Sequence, residues 1–175
     1  TGQNNTALGA NTMTASVTGG QNTAVGAEAL EANTGGDDNV AVGYGALTTE
    51  DAYGRNTAVG MNALSSLNAG GNGHNVAVGY TAGALISTGL QNTIIGSHAG
   101  DALTTGQQNV AIGYRALSAE DTGGRNVAIG HDALLNQNYS ASNYNVAIGY
   151  AAGKEITTGT SNVIVGALAG DAITD

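Results

Sequence analysis

The sequence predicts an all-β fold, a solenoid of about ten short coils, on three observations. The phrase Asn-x-Ala/Ile-aliphatic-Gly recurs ten times, from Asn5, Asn22, Asn39, Asn56, Asn75, Asn92, Asn109, Asn126, Asn145 and Asn162. Its steps are 17 residues, except for steps of 19 after Asn56 and after Asn126. A fixed short period without a helical pattern is the mark of stacked coils. Within each phrase, branched aliphatics alternate with Ala and Gly, which is the period of a strand. Finally, Trp, Phe, Pro and Cys are absent, aromatics are limited to seven tyrosines, and there are 29 glycines. A globular core of this size usually draws on large aromatic side chains. This interior is therefore expected to be narrow and repeated.

Counting each coil from its Asn, position +1 is Thr or Val and position +3 is Leu, Val or Ile. Position +2 is Ala except at Ile94 and Ile164. Position +4 is always Gly: Gly9, Gly26, Gly43, Gly60, Gly79, Gly96, Gly113, Gly130, Gly149 and Gly166. We read +1 and +3 as filling the coil interior, and the flat Ala/Gly face as meeting a neighbouring chain or layer. Position +7 is Ala in every coil but the first, where it is Thr12. Position +8 is large (Met13, Leu30, Leu47, Leu64, Leu117, Leu134) or is Gly83, Gly100, Gly153 or Gly170. Each of those glycines is followed at +11 by Ile86, Leu103, Ile156 or Ile173, so one pocket is filled from two alternative positions. Turn sequences such as Thr18-Gly19-Gly20 and Thr122-Gly123-Gly124 close each coil before the next Asn. At about 4.8 Å per rung the ten coils make a rod roughly 45–50 Å long. The Asn residues are expected to form an in-register amide ladder along it.

Residues 1–175 read as one repetitive domain. Every four coils span 70 residues, which gives superunits 39–108 and 109–175. The chain opens inside a coil at Thr1 and is expected to be a piece of a longer one. Thirteen carboxylates against four Lys+Arg give a net charge of −9, with no basic stripe, so nucleic acid and anionic membrane are unsuited partners. No apolar run reaches the length of about 18 residues that would insert in a membrane. Without cysteine there is no disulfide framework and no Cys-type zinc site.

A core of one or two aliphatic side chains per coil buries little surface per ordered residue, so two or three copies packing around an axis are expected to supply the missing burial. The residues that carry this pattern also carry a resemblance. Asn39-Val40-Ala41-Val42-Gly43, Asn109-Val110-Ala111-Ile112-Gly113, Asn126-Val127-Ala128-Ile129-Gly130 and Asn145-Val146-Ala147-Ile148-Gly149 closely resemble the Asn-Ser-Val-Ala-Ile-Gly phrase of YadA-like head repeats in trimeric autotransporter adhesins. Thr18-Gly19-Gly20-Gln21-Asn22-Thr23-Ala24-Val25-Gly26-Ala27-Glu28-Ala29-Leu30 is similar to repeats of phage tail fibres and other bacterial surface fibres. The resemblance covers the whole chain. It implies a left-handed parallel β-roll, assembled as an intertwined or side-by-side homotrimer, outside the cell or on a cell or virion surface. The coil is longer than that of the adhesin heads, so each coil carries an extra excursion.

Several residues are candidate sites. Tyr44, Tyr80, Tyr114 and Tyr150 recur at +5, with Met61 and His131 between them. Such a row either stacks on sugar rings or closes the strand-to-turn corner. The longer loops at 65–74 and 135–144, the second carrying Tyr139 and Tyr144, are either binding protrusions or insertions duplicated with the superunit. His74, His98 and His131 occupy three different coil positions, out of metal-ligand register within a chain. The acidic pairs Asp37-Asp38, Glu50-Asp51 and Glu120-Asp121 either offer oxygen ligands to Ca²⁺ or supply surface charge, and we favour the second. The phrase Gly70-Gly71-Asn72-Gly73-His74-Asn75 occurs once and lacks the carboxylate of a calcium repeat. No metal and no cofactor are expected. No Ser/His/Asp order or recurring carboxylate pair suggests catalysis, so the expected protein is not an enzyme.

The expected function is that of a structural and adhesive segment of an extracellular trimeric fibre, contacting host, prey or surface glycans multivalently. A passive rigid spacer with its binding tip elsewhere, and an ice-binding solenoid, are the alternatives.

Overall fold

The computed structural model describes residues 2–15 and 17–174; Thr1, Ser16 and Asp175 lie outside the described residues. Ten three-residue strands follow the ten Asn residues: β1 (Thr6–Leu8), β2 (Thr23–Val25), β3 (Val40–Val42), β4 (Thr57–Val59), β5 (Val76–Val78), β6 (Thr93–Ile95), β7 (Val110–Ile112), β8 (Val127–Ile129), β9 (Val146–Ile148) and β10 (Val163–Val165). They form one parallel sheet in chain order, so the fold is a β-solenoid of about nine turns. Pairing is in register by coil position: Ala24 lies opposite Ala41, and Val25 opposite Val42. The register survives the 19-residue steps, with Thr57 opposite Val76 and Val127 opposite Val146, so the two extra residues are absorbed by the loops.

The strands face the other way from the expectation. Ala24, Ala41, Ala58, Ala77, Ala111, Ala128 and Ala147 at +2, together with Ile94, are fully buried, whereas +1 and +3 point outward and are half-buried or exposed. The physical reason is volume. Ala at +7 and Leu30, Leu47, Leu64, Leu117 or Leu134 at +8 already fill the narrow interior, and only a methyl fits opposite them. Where +8 is Gly, the space is taken by Ile86, Leu103 or Ile156, all fully buried, so in those coils the pocket is filled from two positions as expected, whereas Ile173 of the last coil is 38% exposed. Ile94 uses the same space: a methyl built on Gly100 would stand 3.1 Å from its Cδ1.

Glycine at +4 is fixed by the backbone. Its φ is +142° at Gly79, a region closed to L side chains, and a methyl built there would stand 2.5 Å from the carbonyl oxygen of Gly96. Three further positions per coil (−1, +6 and +8) adopt left-handed φ, even with residues as large as Leu64 (+50°) or Tyr144 (+55°). Their N–H groups point along the rod to the neighbouring coil: Gln108 N–H donates to Leu90 O (3.0 Å), His98 to Tyr80 O (3.0 Å) and Leu117 to Ala133 O (2.9 Å). Inter-coil bonds at the corners thus satisfy the backbone where the strands end.

The Asn residues do form a ladder, but most of its rungs are side chain to backbone, with amide-to-amide bonds only from Asn75 to Asn56 and from Asn162 to Asn145 among the described residues. Asn92 N–H donates to Asn75 Oδ1 (2.9 Å) and Asn109 N–H to Asn92 Oδ1 (2.9 Å). The Asn92 amide N–H donates in turn to Gly106 O (2.9 Å), closing its own coil. Asn22, Asn39, Asn75, Asn92, Asn109 and Asn145 each make this bond to the end of their own coil, whereas the Asn56 amide turns back to Gly54 O (3.2 Å) and the buried Asn126 Nδ2 has no partner.

Two of the three acidic pairs are not wholly surface groups. Glu50 and Glu120, at +11, are fully buried in the place that Asn33 and Gln137 occupy in other coils. A coil with Leu at +8 leaves room there for a side chain that can accept backbone N–H groups. Glu50 accepts from Tyr53 N–H (3.2 Å) and Ala69 N–H (3.5 Å), and Glu120 from Gly123 N–H (2.8 Å) and the Asn143 amide (2.7 Å). Burial pushes the Glu50 carboxyl from near 4.5 up to about 7, and raises Glu120 as well. The folded chain then holds a proton on Glu50 that the unfolded chain releases, so stability falls as pH rises between about 4.5 and 7. Glu50→Gln, which copies Gln137, is expected to flatten that fall and to be about 2 kcal/mol more stable than the wild type at pH 8. Urea melts from pH 4 to 8 check this, and parallel stability curves for the two proteins would refute it.

Candidate functional site: an aliphatic sheet face beside an aromatic column

Because +2 fills the interior, the branched residues form the outer face of the sheet. Thr or Val at +1 and Leu, Val or Ile at +3 repeat over all ten coils with no charged residue among them. Neighbouring rungs cover each other in part, yet Val76, Ile95 and Ile148 remain more than a third exposed. The result is a flat, uncharged band running the length of the rod.

One edge of this band is aromatic. From Tyr80 to Tyr150 five rings follow one another on consecutive coils: Tyr80 to His98 at 5.2 Å, His98 to Tyr114 at 6.1 Å, Tyr114 to His131 at 5.1 Å and His131 to Tyr150 at 5.4 Å between centroids. The first two contacts are edge-to-face and the last two tilted, the geometries favoured by ring quadrupoles. The imidazoles are held from the side. His98 Nδ1 lies 3.0 Å from Thr81 Oγ1 and 3.3 Å from Asp101 Oδ2, and His131 Nδ1 lies 3.3 Å from Asp132 Oδ2. Arg115 lies 6.0 Å from the centre of the Tyr114 ring and pairs with Asp132 at 3.8 Å. Met61 and Tyr44 carry the same edge across two preceding coils, each close to half exposed. The hydrogen bond that the Tyr44 phenol donates to the Glu28 carboxylate, and then the charge of that carboxylate, raise the Tyr44 pKa.

Tyr80, Tyr114, Tyr150 and His131 are thus brought together into a row of half-exposed rings, with Tyr44 further along the same edge and outside the ring contacts. His98 was missed by counting, because it sits at +6. In that coil +5 is Ser97, and the imidazole bridges Tyr80 and Tyr114 from the next position along. Its signal lay in the sequence as an aromatic-type ring one residue from the row. Tyr139 and Tyr144 are exposed at the other end of the strands and make no ring contact with the column among the described residues. Tyr144 instead packs against Arg125, whose guanidinium carbon is 5.4 Å from its ring centre. His74 is exposed at −1, away from the other two histidines.

The chain matches no protein-family model, no curated protein and no solved structure. A band of aliphatics wants to be covered, and a file of exposed rings with imidazole and phenol tips offers stacking and hydrogen bonding to a flat partner. Among the described residues no three His, Cys, Asp or Glu groups stand close enough to hold a metal ion, and no helix is long and apolar enough to cross a membrane.

Proposed function

We propose that this chain is a structural and adhesive segment of an extracellular fibre in which three copies, each a left-handed roll, meet through the outer face of their sheets. The observation that carries the reading is the uncharged band of Thr, Val, Leu and Ile that continues through ten coils. Left in water along its whole length it is an aggregation hazard, and packing copies together removes it. The aromatic column lies at the edge of the band, where it stays accessible for contact with a cell surface or glycan. Repetition along the rod and among copies multiplies weak contacts.

Light scattering on the chain is expected to give about three times its 17.1 kDa. Ile112→Lys combined with Ile129→Lys places charge on the band without touching the interior. It is expected to give a monomer with an unchanged circular dichroism spectrum. A wild-type monomer would overturn the reading and leave the regular Thr/Val and Val/Ile array to the ice-binding alternative, which thermal hysteresis tests. A trimer that binds no surface or glycan would reduce the role to that of a spacer.

A further inference from the structure

The chain builds one corner twice, 70 residues apart, and only the second copy holds a cation without an acidic partner. In the first copy, Arg55 N–H donates to Asp37 O (3.0 Å), and its guanidinium faces Asp38 at 3.8 Å. In the second, Arg125 N–H donates to Gln107 O at the same 3.0 Å, but Gln107 and Gln108 have replaced the two aspartates. Arg125 Nε donates to Gln108 Oε1 (3.0 Å), and Nη1 donates to Ser142 Oγ (2.6 Å) and Tyr144 OH (3.0 Å). Among the described residues no carboxylate pairs with it.

The neighbouring changes run in the same direction. Ala52, Gly70 and Gly71-Asn72 of the first copy correspond to Thr122, Ser140 and Ala141-Ser142 of the second. Together these residues wall a cleft of about 250 Å³ between the longer loop and the coil below. Thr122 is among the lining residues, and its Oγ1 is turned away from solvent, buried and without a hydrogen-bond partner. The cleft thus combines one guanidinium with neutral hydroxyls and amides, and an aromatic ring stands behind the guanidinium.

Each present partner of Arg125 is neutral, and a carboxylate competes with such partners because it adds an opposite charge and accepts two parallel N–H groups of the guanidinium fork. The net charge of −9 disfavours polyanions, so the matching ligand carries a single negative charge and many hydroxyls. The volume of about 250 Å³ suits one sugar ring. We propose that this cleft binds one carboxylated sugar unit, with Arg125 on the carboxylate and Ser140, Ser142 and Gln107 on the hydroxyls. The site rests on the adhesive reading for its purpose, and its test is independent of how many copies associate.

The test is an amide-resolved NMR titration with methyl glucuronide, methyl glucoside and acetate. Glucuronide is expected to shift the amides of 122–125 and 140–144, saturating in the millimolar range. The neutral glucoside and acetate are expected to bind at least tenfold more weakly. Gln108→Asp, which restores the acid of the first copy at a position with the same left-handed backbone, is expected to weaken glucuronide at least tenfold and to leave the rest of the spectrum unchanged. Arg125→Gln is expected to do the same. The proposal is overturned if glucoside or acetate matches glucuronide, if Gln108→Asp has no effect, or if no shifts occur. Shifts gathered on the Tyr80–Tyr150 column would overturn the cleft and keep the adhesive reading. A monomeric mass with glucuronide bound would keep the cleft and overturn the trimer.

Discussion

Gly79→Ala is expected to destabilise the rod by about 4 kcal/mol or more, lowering the melting temperature by about 10 °C or more. Two effects act together. The backbone at Gly79 holds φ at +142°, which costs any L residue of order 1–3 kcal/mol. The new methyl would also stand 2.5 Å from Gly96 O and 2.6 Å from its carbonyl carbon, backbone atoms that move only if β5 and β6 separate. Every coil is held by its neighbours, so relief at this point loosens the stack on both sides. Gly70→Ala is the control, since nothing lies within 4 Å of the added methyl, and it is expected to stay within about 0.5 kcal/mol of the wild type. Equal melting of the two variants would refute the account.

Asn92→Ala is expected to cost about 3–4 kcal/mol. Its side chain accepts the Asn109 N–H (2.9 Å) and donates to Gly106 O (2.9 Å). Truncation strands both of these backbone groups inside the coil, each at about 1–3 kcal/mol. Asn162→Ala, in the last described coil, removes only a partly buried bond to Asn145 Oδ1 (3.1 Å) and is expected to cost less than about 1 kcal/mol. Thermal or urea melts of the two variants measure the contrast, and similar losses would show that the ladder carries no more than local turn stability.

Much of this was legible in the residues. The Asn spacing located every strand, and Gly at +4 marked a close backbone approach, which lies between successive coils rather than against a neighbouring chain. The exchange between +8 and +11 described how the interior is filled. The direction of the strands was not legible from alternation, because a period of two says which residues share a side and not which side is inside. Volume compensation held the missing information. The two coils with Ile at +2, Ile94 and Ile164, have Gly100 and Gly170 at +8, so +2 and +8 had to occupy the same space. A methyl on Gly170 would stand 3.0 Å from Ile164 Cδ1. The burial of Glu50 and Glu120 was hidden for a related reason. An acid beside Asp51 or Asp121 reads as surface charge until the coil shows that +11 points inward, where Asn33 and Gln137 also lie. The second cleft needed the loop itself, since Arg125 and Ser142 meet only when the rung between them closes.

The corner hydrogen bonds bear on how such a molecule comes into being. They join each coil to the one before or after it, so no coil depends on a distant part of the chain for its shape. A polypeptide emerging gradually from a ribosome or a narrow pore could add each turn onto the last, with a finished surface always ready as the template. Growth would then resemble winding thread onto a spool, and its pace would be set by delivery of the chain rather than by a search among remote contacts.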